Sequence, residues 1–269
     1  MLKNILHNSK KKAAPQADKS LGQNFLVDKN ILAKIVAAGD ITKTDYILEV
    51  GAGAGVLTAE LVKEARQVLS LEIDDRLIFL LQNKFAQQKN LEIQKESVLV
   101  FDLNVLEGQD YKVIANIPYY ITSRILEKFL MAEHKPQLVV LLVQKEVAER
   151  ICSTDDKKSF LSVMVQYFGT PHIVQIVKPS AFVPPPKVDS AILKISQIAS
   201  RLPVDQEKFF FKVVKIGFSQ KRKMLKKNLK SVFSAELINK ALELANLNPE
   251  VRAEDLSVED WLKLASQLA

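Results

Sequence analysis

From residue 28 onward, short apolar runs alternate with stretches whose apolar positions recur at helical spacing. Ile31, Leu32, Ile35 and Val36 share one helical face behind Asp28, which predicts a helix capped there and ended by Gly39. Residues 46–50 read as a strand, 56–65 as a helix with Leu57, Leu61 and Val62 on one side, 67–73 as a strand and 76–87 as a helix. Strands follow at 91–95 and 112–115, and Thr122-Ser123 caps a helix running to about Met131. The continuous apolar run 138–143 is a buried strand that leads into a helix at 145–151. A polar break at 153–158 precedes a helix at 160–168, and 172–177 and 190–195 are the last two strand candidates. Between them, Phe182-Val183-Pro184-Pro185-Pro186-Lys187 forms a loop stiffened by proline.

Strands alternating with helices imply an α/β fold: a Rossmann-like, doubly wound parallel sheet with right-handed crossovers. After about Arg201 the pattern is helical throughout, so a small helical C-terminal domain is expected. The chain divides into a flexible basic leader (1–20), a main α/β domain (21–200) and a helical domain (201–269), with Pro203 in the linker. No internal repeat is visible.

Composition narrows the class. Of 269 residues, 48% are hydrophobic and 26% charged, an ordinary balance for a soluble globular protein. A single cysteine, Cys152, excludes an internal disulfide framework and fits a reducing compartment. His7, His134 and His172 lie far apart without neighbouring cysteines, so no metal site is expected. No run reaches the length of a membrane span and no signal-peptide core is present, which makes the cytoplasm the expected location. The net charge is +7, and residues 201–230 hold ten Lys or Arg against Asp205 and Glu207. A basic concentration of this kind suits phosphates of a nucleic acid, with Lys221, Arg222, Lys223, Lys226 and Lys227 as its core.

Two strand-end loops carry the candidate chemistry. In Glu49-Val50-Gly51-Ala52-Gly53-Ala54-Gly55 the glycines, Gly51 and Gly53 foremost, allow a tight turn and close approach of a ligand to backbone N–H groups. Glu72 ends the next strand, where an acid binds ribose hydroxyls. The spacing is G-x-G-x-G, whereas dinucleotide sites use G-x-G-x-x-G. Glu49, two residues before the first glycine, suits a cationic aminoacyl-sulfonium better than a pyrophosphate. S-adenosylmethionine is therefore the expected cofactor. The second loop is Asn116-Ile117-Pro118-Tyr119, an amide, a proline-locked turn and an aromatic ring at the end of a strand. Asn116 and a main-chain carbonyl of Ile117 or Pro118 can accept the two hydrogens of an exocyclic amine. Tyr119 can stack on an unpaired base, with Phe182 the candidate for the opposite face. Tyr111 and Tyr120 are expected to be structural.

Six segments, in order, resemble the bacterial small-subunit ribosomal RNA adenine N6-dimethyltransferases. They are Leu21-Gly22-Gln23-Asn24-Phe25-Leu26, Glu49-Val50-Gly51-Ala52-Gly53, Asn116-Ile117-Pro118-Tyr119, the run 143–150, the run 182–190 and the run 218–229. The resemblance covers more than nine-tenths of the chain, from Leu21 to its end. It implies a sheet of the S-adenosylmethionine-dependent methyltransferase type, with Asn24 and Leu26 closing over the methyl donor. It further implies that the Gly51 loop holds the donor's methionine part, Glu72 its ribose, and that Asn116 lies between donor and base. The family usually has an aspartate for the donor's adenine amine; Ser97 stands there in this chain, or Glu96 through a shifted register, so weaker donor affinity is expected. The implied substrate is two adjacent adenosines near the 3′ end of 16S rRNA in an assembling small subunit. A monomer without membrane or DNA partners is expected. Alternatives are a large-subunit rRNA dimethylase, a ribosome-assembly factor with secondary catalysis, and a DNA adenine methylase.

Overall fold

The computed structural model describes residues 17–18, 21–154, 157–220 and 222–269. The basic leader except 17–18, the Asp155-Asp156 pair and Lys221 lie outside the described residues. Ten α-helices and nine strands are formed among those described. In chain order they are β1 (Phe25–Leu26), α1 (Lys29–Ala38), β2 (Tyr46–Val50), α2 (Val56–Glu64), β3 (Gln67–Glu72), α3 (Asp75–Lys84), β4 (Leu91–Lys95) and β5 (Tyr111–Asn116). Next come α4 (Thr122–Leu130), β6 (Leu138–Gln144), α5 (Lys145–Cys152), α6 (Phe160–Phe168), β7 (Thr170–Val177), β8 (Phe182–Val183) and β9 (Ser190–Ser196). The chain ends in α7 (Val204–Gly217), α8 (Leu225–Leu229), α9 (Ala235–Leu244) and α10 (Val258–Leu268).

Seven strands form one sheet in the order β4-β3-β2-β5-β6-β9-β7. The five from β4 to β6 are parallel. The expectation of a parallel sheet needs correction at one edge: β9 runs antiparallel to β6 and to β7. An apolar run specifies a buried strand, not its direction, and β9 enters from the opposite end through the proline loop. The helical boundary at Asp28 is as expected, its side chain accepting the N–H groups of Asn30 and Ile31 at 2.8 and 3.2 Å. Gly39 ends α1 in ordinary right-handed geometry, and glycine is required there by packing. A Cβ at Gly39 would come within 2.5 Å of Ile114 Cδ1.

Strand alternation sends residues to two apolar layers. Ile47, Val68, Ile114, Val140 and Leu142 face α1 and α2, while Leu48, Leu69, Val113, Val139 and Leu141 face the layer that holds α4 and α6. The second layer is continuous with the C-terminal helices. Tyr167 of α6 stacks on Phe210 of α7 at 4.8 Å, and Phe168 on Phe211 at 5.2 Å. Gly217 at the end of α7 admits Trp261 of α10, since a Cβ there would lie 2.3 Å from the indole. Buried Asn228 of α8 donates to the carbonyls of Gly217 and Gln220 at 2.5 and 3.2 Å, closing the end of α7. No described helix is long and apolar enough to cross a membrane.

The chain runs from β2 outward through β3 and β4, then returns to the other side of β2 with β5 and β6. Neighbouring β2 and β5 therefore lead into loops that diverge to opposite faces. Their carboxyl ends, where Val50 pairs with Ala115, border the crevice that binds ligands in open α/β sheets.

Candidate active site

A cavity of about 340 Å³ opens at that crevice, within the range of small-molecule sites. Its lining brings together Asn24, Leu26, Gly51, Gly53, Glu72, Ser97, Asn116, Ile117, Pro118 and Tyr119, residues drawn from five separate segments of the chain.

The floor is the loop after β2. Gly51, Gly53 and Gly55 have φ of +73°, +58° and +70°, the left-handed region that glycine enters without strain. A Cβ at Gly51 would meet only the carbonyl of Asn116, at 3.7 Å, so a side chain there would occupy the cavity itself. Glu72 closes the far side of this loop. Its Oε2 accepts the Gly53 N–H at 2.8 Å, and its Oε1 accepts those of Ile73 and Asp74 at 2.7 and 3.0 Å. Three backbone donors fix the carboxylate, which keeps about one lone-pair site for a hydroxyl ligand. Ser97 sits at the next strand end. Its hydroxyl accepts the Leu99 N–H at 3.3 Å and its carbonyl accepts those of Val100 and Phe101, so the serine caps a turn at the cavity wall.

Across the cavity mouth lies a strap, residues 21–26. Asn24 Nδ2 donates to the Gly22 carbonyl at 3.2 Å. Gln23 Nε2 donates to Asp74 Oδ2 at 3.1 Å, and Gln23 Oε1 accepts the Asp18 N–H at 2.8 Å. Arg76 holds the same aspartate through Nε and Nη2 at 2.9 and 2.6 Å. That hydrogen-bonded guanidinium keeps the Asp74 carboxyl far below the usual carboxylate range, so the latch stays charged. The strap ends in β1, which pairs antiparallel with β8.

Asn116 is the last residue of β5. Its Nδ2 donates to the Asn24 carbonyl at 3.2 Å. The amide is thereby oriented with its nitrogen on the strap and its oxygen available as an acceptor. Ile117 is buried at 2% exposure, and Pro118 precedes a single helical turn, Tyr119–Ile121, that leads into α4. The Tyr119 hydroxyl shares a 2.5 Å hydrogen bond with buried Ser190 Oγ, and burial pushes its pKa above the ordinary phenol value. The proline loop thus anchors the tyrosine of the other motif. Lys145 N–H donates to the Asp189 carbonyl at 3.0 Å, which docks the end of that loop on α5.

Two expectations are corrected. Phe182 does not face the cavity: it is 2% exposed and packed in the α1 layer with Leu26 and Val177, because its pairing with Leu26 turns the ring inward. Glu49 does not face it either. Its place in β2 points it toward α2, where Thr58 and Ser70 hydroxyls donate to Oε2 at 2.7 and 2.5 Å. It is 1% exposed, and burial pushes its pKa up to about 7. Its work is to hold the first turn of α2, which positions the glycine loop.

The reading from sequence missed Phe25, Tyr120 and Arg124, which also line the cavity. Phe25 approaches the glycine loop so closely that a Cβ at Gly53 would touch its ring at 3.5 Å. Tyr120, expected to be structural, is 65% exposed. Arg222, Lys223 and Lys227 are exposed and Lys226 is half-buried. The other half of their segment is structural, with Phe218 against Trp261 at 5.7 Å and Leu225, Asn228 and Leu229 buried.

The sequence and the fold are both similar to known proteins. Residues 14–269 match the family model described as ribosomal RNA adenine dimethylase. Ribosomal RNA small subunit methyltransferase A of Dehalococcoides mccartyi (strain 195) is 41% identical over 254 residues, covering 93% of this chain and 87% of the relative. The protein so named in Caldanaerobacter subterraneus subsp. tengcongensis is 42% identical over 262 residues, 94% of this chain and 97% of the relative. Among solved structures, 23S rRNA methyltransferase ErmE superposes with a TM-score of 0.74 at 28% identity, over 91% of this chain and 99% of that one. A dimethyladenosine transferase from Plasmodium falciparum gives a TM-score of 0.72 at 29% identity, over 89% and 95%.

Proposed function

Because this chain belongs to the ribosomal RNA adenine dimethylase family, we propose that it dimethylates N6 of two adjacent adenosines near the 3′ end of 16S rRNA during small-subunit assembly. S-adenosylmethionine is the proposed donor, and its sulfonium supplies an activated methyl group. The fixed Glu72 carboxylate, the left-handed Gly51 and Gly53 and the turn at Ser97 suit its ribose, methionine and adenine parts in turn.

The observation that carries the proposal is the oriented amide of Asn116. The N6 lone pair of adenine is delocalised into the ring, so a strong base is not the need; its two hydrogens must be drawn aside. With Nδ2 committed to the Asn24 carbonyl, the Asn116 oxygen accepts one hydrogen. A carbonyl of Ile117 or Pro118 accepts the other. Tyr119, held by Ser190, supplies one stacking surface. Holding the amine in line is the main source of rate, and its proton passes to water after transfer.

The small subunit is favoured over the large one by the 41–42% identity to proteins named for the small subunit, against 28% to ErmE. The exposed cations of the segment 222–227 suit RNA phosphates. A monomer acting in the cytoplasm completes the reading. A binding-only assembly factor has no use for an oriented amide beside a glycine loop.

Asn116→Ala, supplied with labelled donor and undermethylated small-subunit particles, is expected to lose at least 100-fold in rate while still binding donor, an order set by misplaced reacting groups. Near-wild-type labelling would refute the role of the amide, and labelling of large subunits alone would move the activity to the other rRNA.

A further inference from the structure

The mouth of the cavity holds an aromatic ring that the methyl-transfer chemistry leaves unused. Tyr120 is 65% exposed, although it directly follows half-buried Tyr119. Gly22 of the strap lies beside it: a Cβ there would stand 3.2 Å from Tyr120 Cε1 and 3.4 Å from Cδ1. The strap therefore backs the ring and leaves the rest of it to solvent. Arg124 follows four residues later, in the first turn of α4. It is exposed, lines the same mouth, and makes no ion pair among the described residues.

A solvent-facing ring with an unpaired guanidinium one turn away matches the two parts of a nucleotide. Bases stack on aromatic rings, and arginine forks onto phosphate. A base extruded for chemistry also leaves its neighbour without a stacking partner. We propose that Tyr120 and Arg124 form a subsite for the nucleotide flanking the target adenosine, the ring stacking on its base and the guanidinium holding its phosphate. The subsite rests on the acceptor reading given above and extends it to a second nucleotide. It tolerates any base, because every base has a π face, and it sets register through the phosphate.

The test uses the full chain, undermethylated small-subunit particles and labelled S-adenosylmethionine, with donor affinity measured separately by calorimetry. Tyr120→Ala is expected to raise KM for particles roughly 5- to 150-fold, the range of one lost stacking contact. Donor affinity should hold, and Tyr120→Phe should retain the wild-type KM. Arg124→Ala is expected to raise the same KM and to reduce its salt dependence by about one unit of log–log slope. A particle KM within twofold of wild type for Tyr120→Ala overturns the subsite. So does a loss confined to donor affinity, which would make the ring a prop for the strap. A wild-type chain that labels no particles removes the acceptor reading and the subsite together, whereas normal wild-type labelling with an unchanged variant KM removes the subsite alone.

Discussion

Glu49 shows how far one side chain's role depends on partners distant in sequence. Two residues from the glycine loop, it has the position of a ligand for a cationic donor, yet it is sealed between β2, β3 and α2 with Thr58 and Ser70. Its pKa of about 7 lies above the ordinary 4.5, so between those values the folded chain keeps a proton that the unfolded chain has lost. Stability therefore falls as pH rises from about 4.5 to 7, by on the order of 3 kcal/mol, and the penalty is complete above that. Glu49→Gln is expected to be more stable than wild type at pH 8, with the advantage fading toward pH 5, in urea denaturation at each pH. Asn116, Gly51 and Glu72 were legible because their chemistry sits at strand ends, which periodicity locates. Phe182 and Tyr120 were not, since both are aromatics two residues from a proline, where periodicity gives no facing. The β1–β8 ladder, invisible as two dipeptides, turns Phe182 inward, while Gly22 of the strap backs Tyr120 and leaves it exposed.

Elements were most legible where turn or cap residues bound them. The runs at β2, β4 and α6 predict their observed limits, because each is bounded by turn or cap residues. The direction of β9 was hidden, being set by the route of the proline loop. The strap has no periodicity at all and is defined by hydrogen bonds to α3 and β5. Gln23→Ala removes two hydrogen bonds, one to Asp74 at the start of α3 and one from the Asp18 N–H. At about 0.5–1.5 kcal/mol each, their loss from a strap proposed to close over the donor should cost roughly tenfold in donor affinity, measurable by equilibrium dialysis. Unchanged affinity would detach the strap from donor binding.

At the scale of the molecule, the reversal of strand order at β2 and β5 makes the crevice, and the exposed cations at 222–227 are the proposed hold on RNA phosphates. The division near residue 200 marks a change of helix content, while packing crosses it through Tyr167, Phe168, Phe210 and Phe211. Replacing Arg222, Lys223 and Lys227 by alanine should make the log–log salt dependence of RNA binding shallower by about 2, from the charges lost. An unchanged slope would make them a solvated face.

The seat of the last helix has a practical consequence. Trp261 is the chain's single tryptophan, wholly buried against Gly217 and Phe218, far along the chain from every cavity residue. Its fluorescence is a built-in gauge: blue-shifted emission reports seated C-terminal helices, whatever the state of the catalytic crevice. A variant that loses methylation with its emission unmoved has lost chemistry, and one whose emission reddens has lost its architecture.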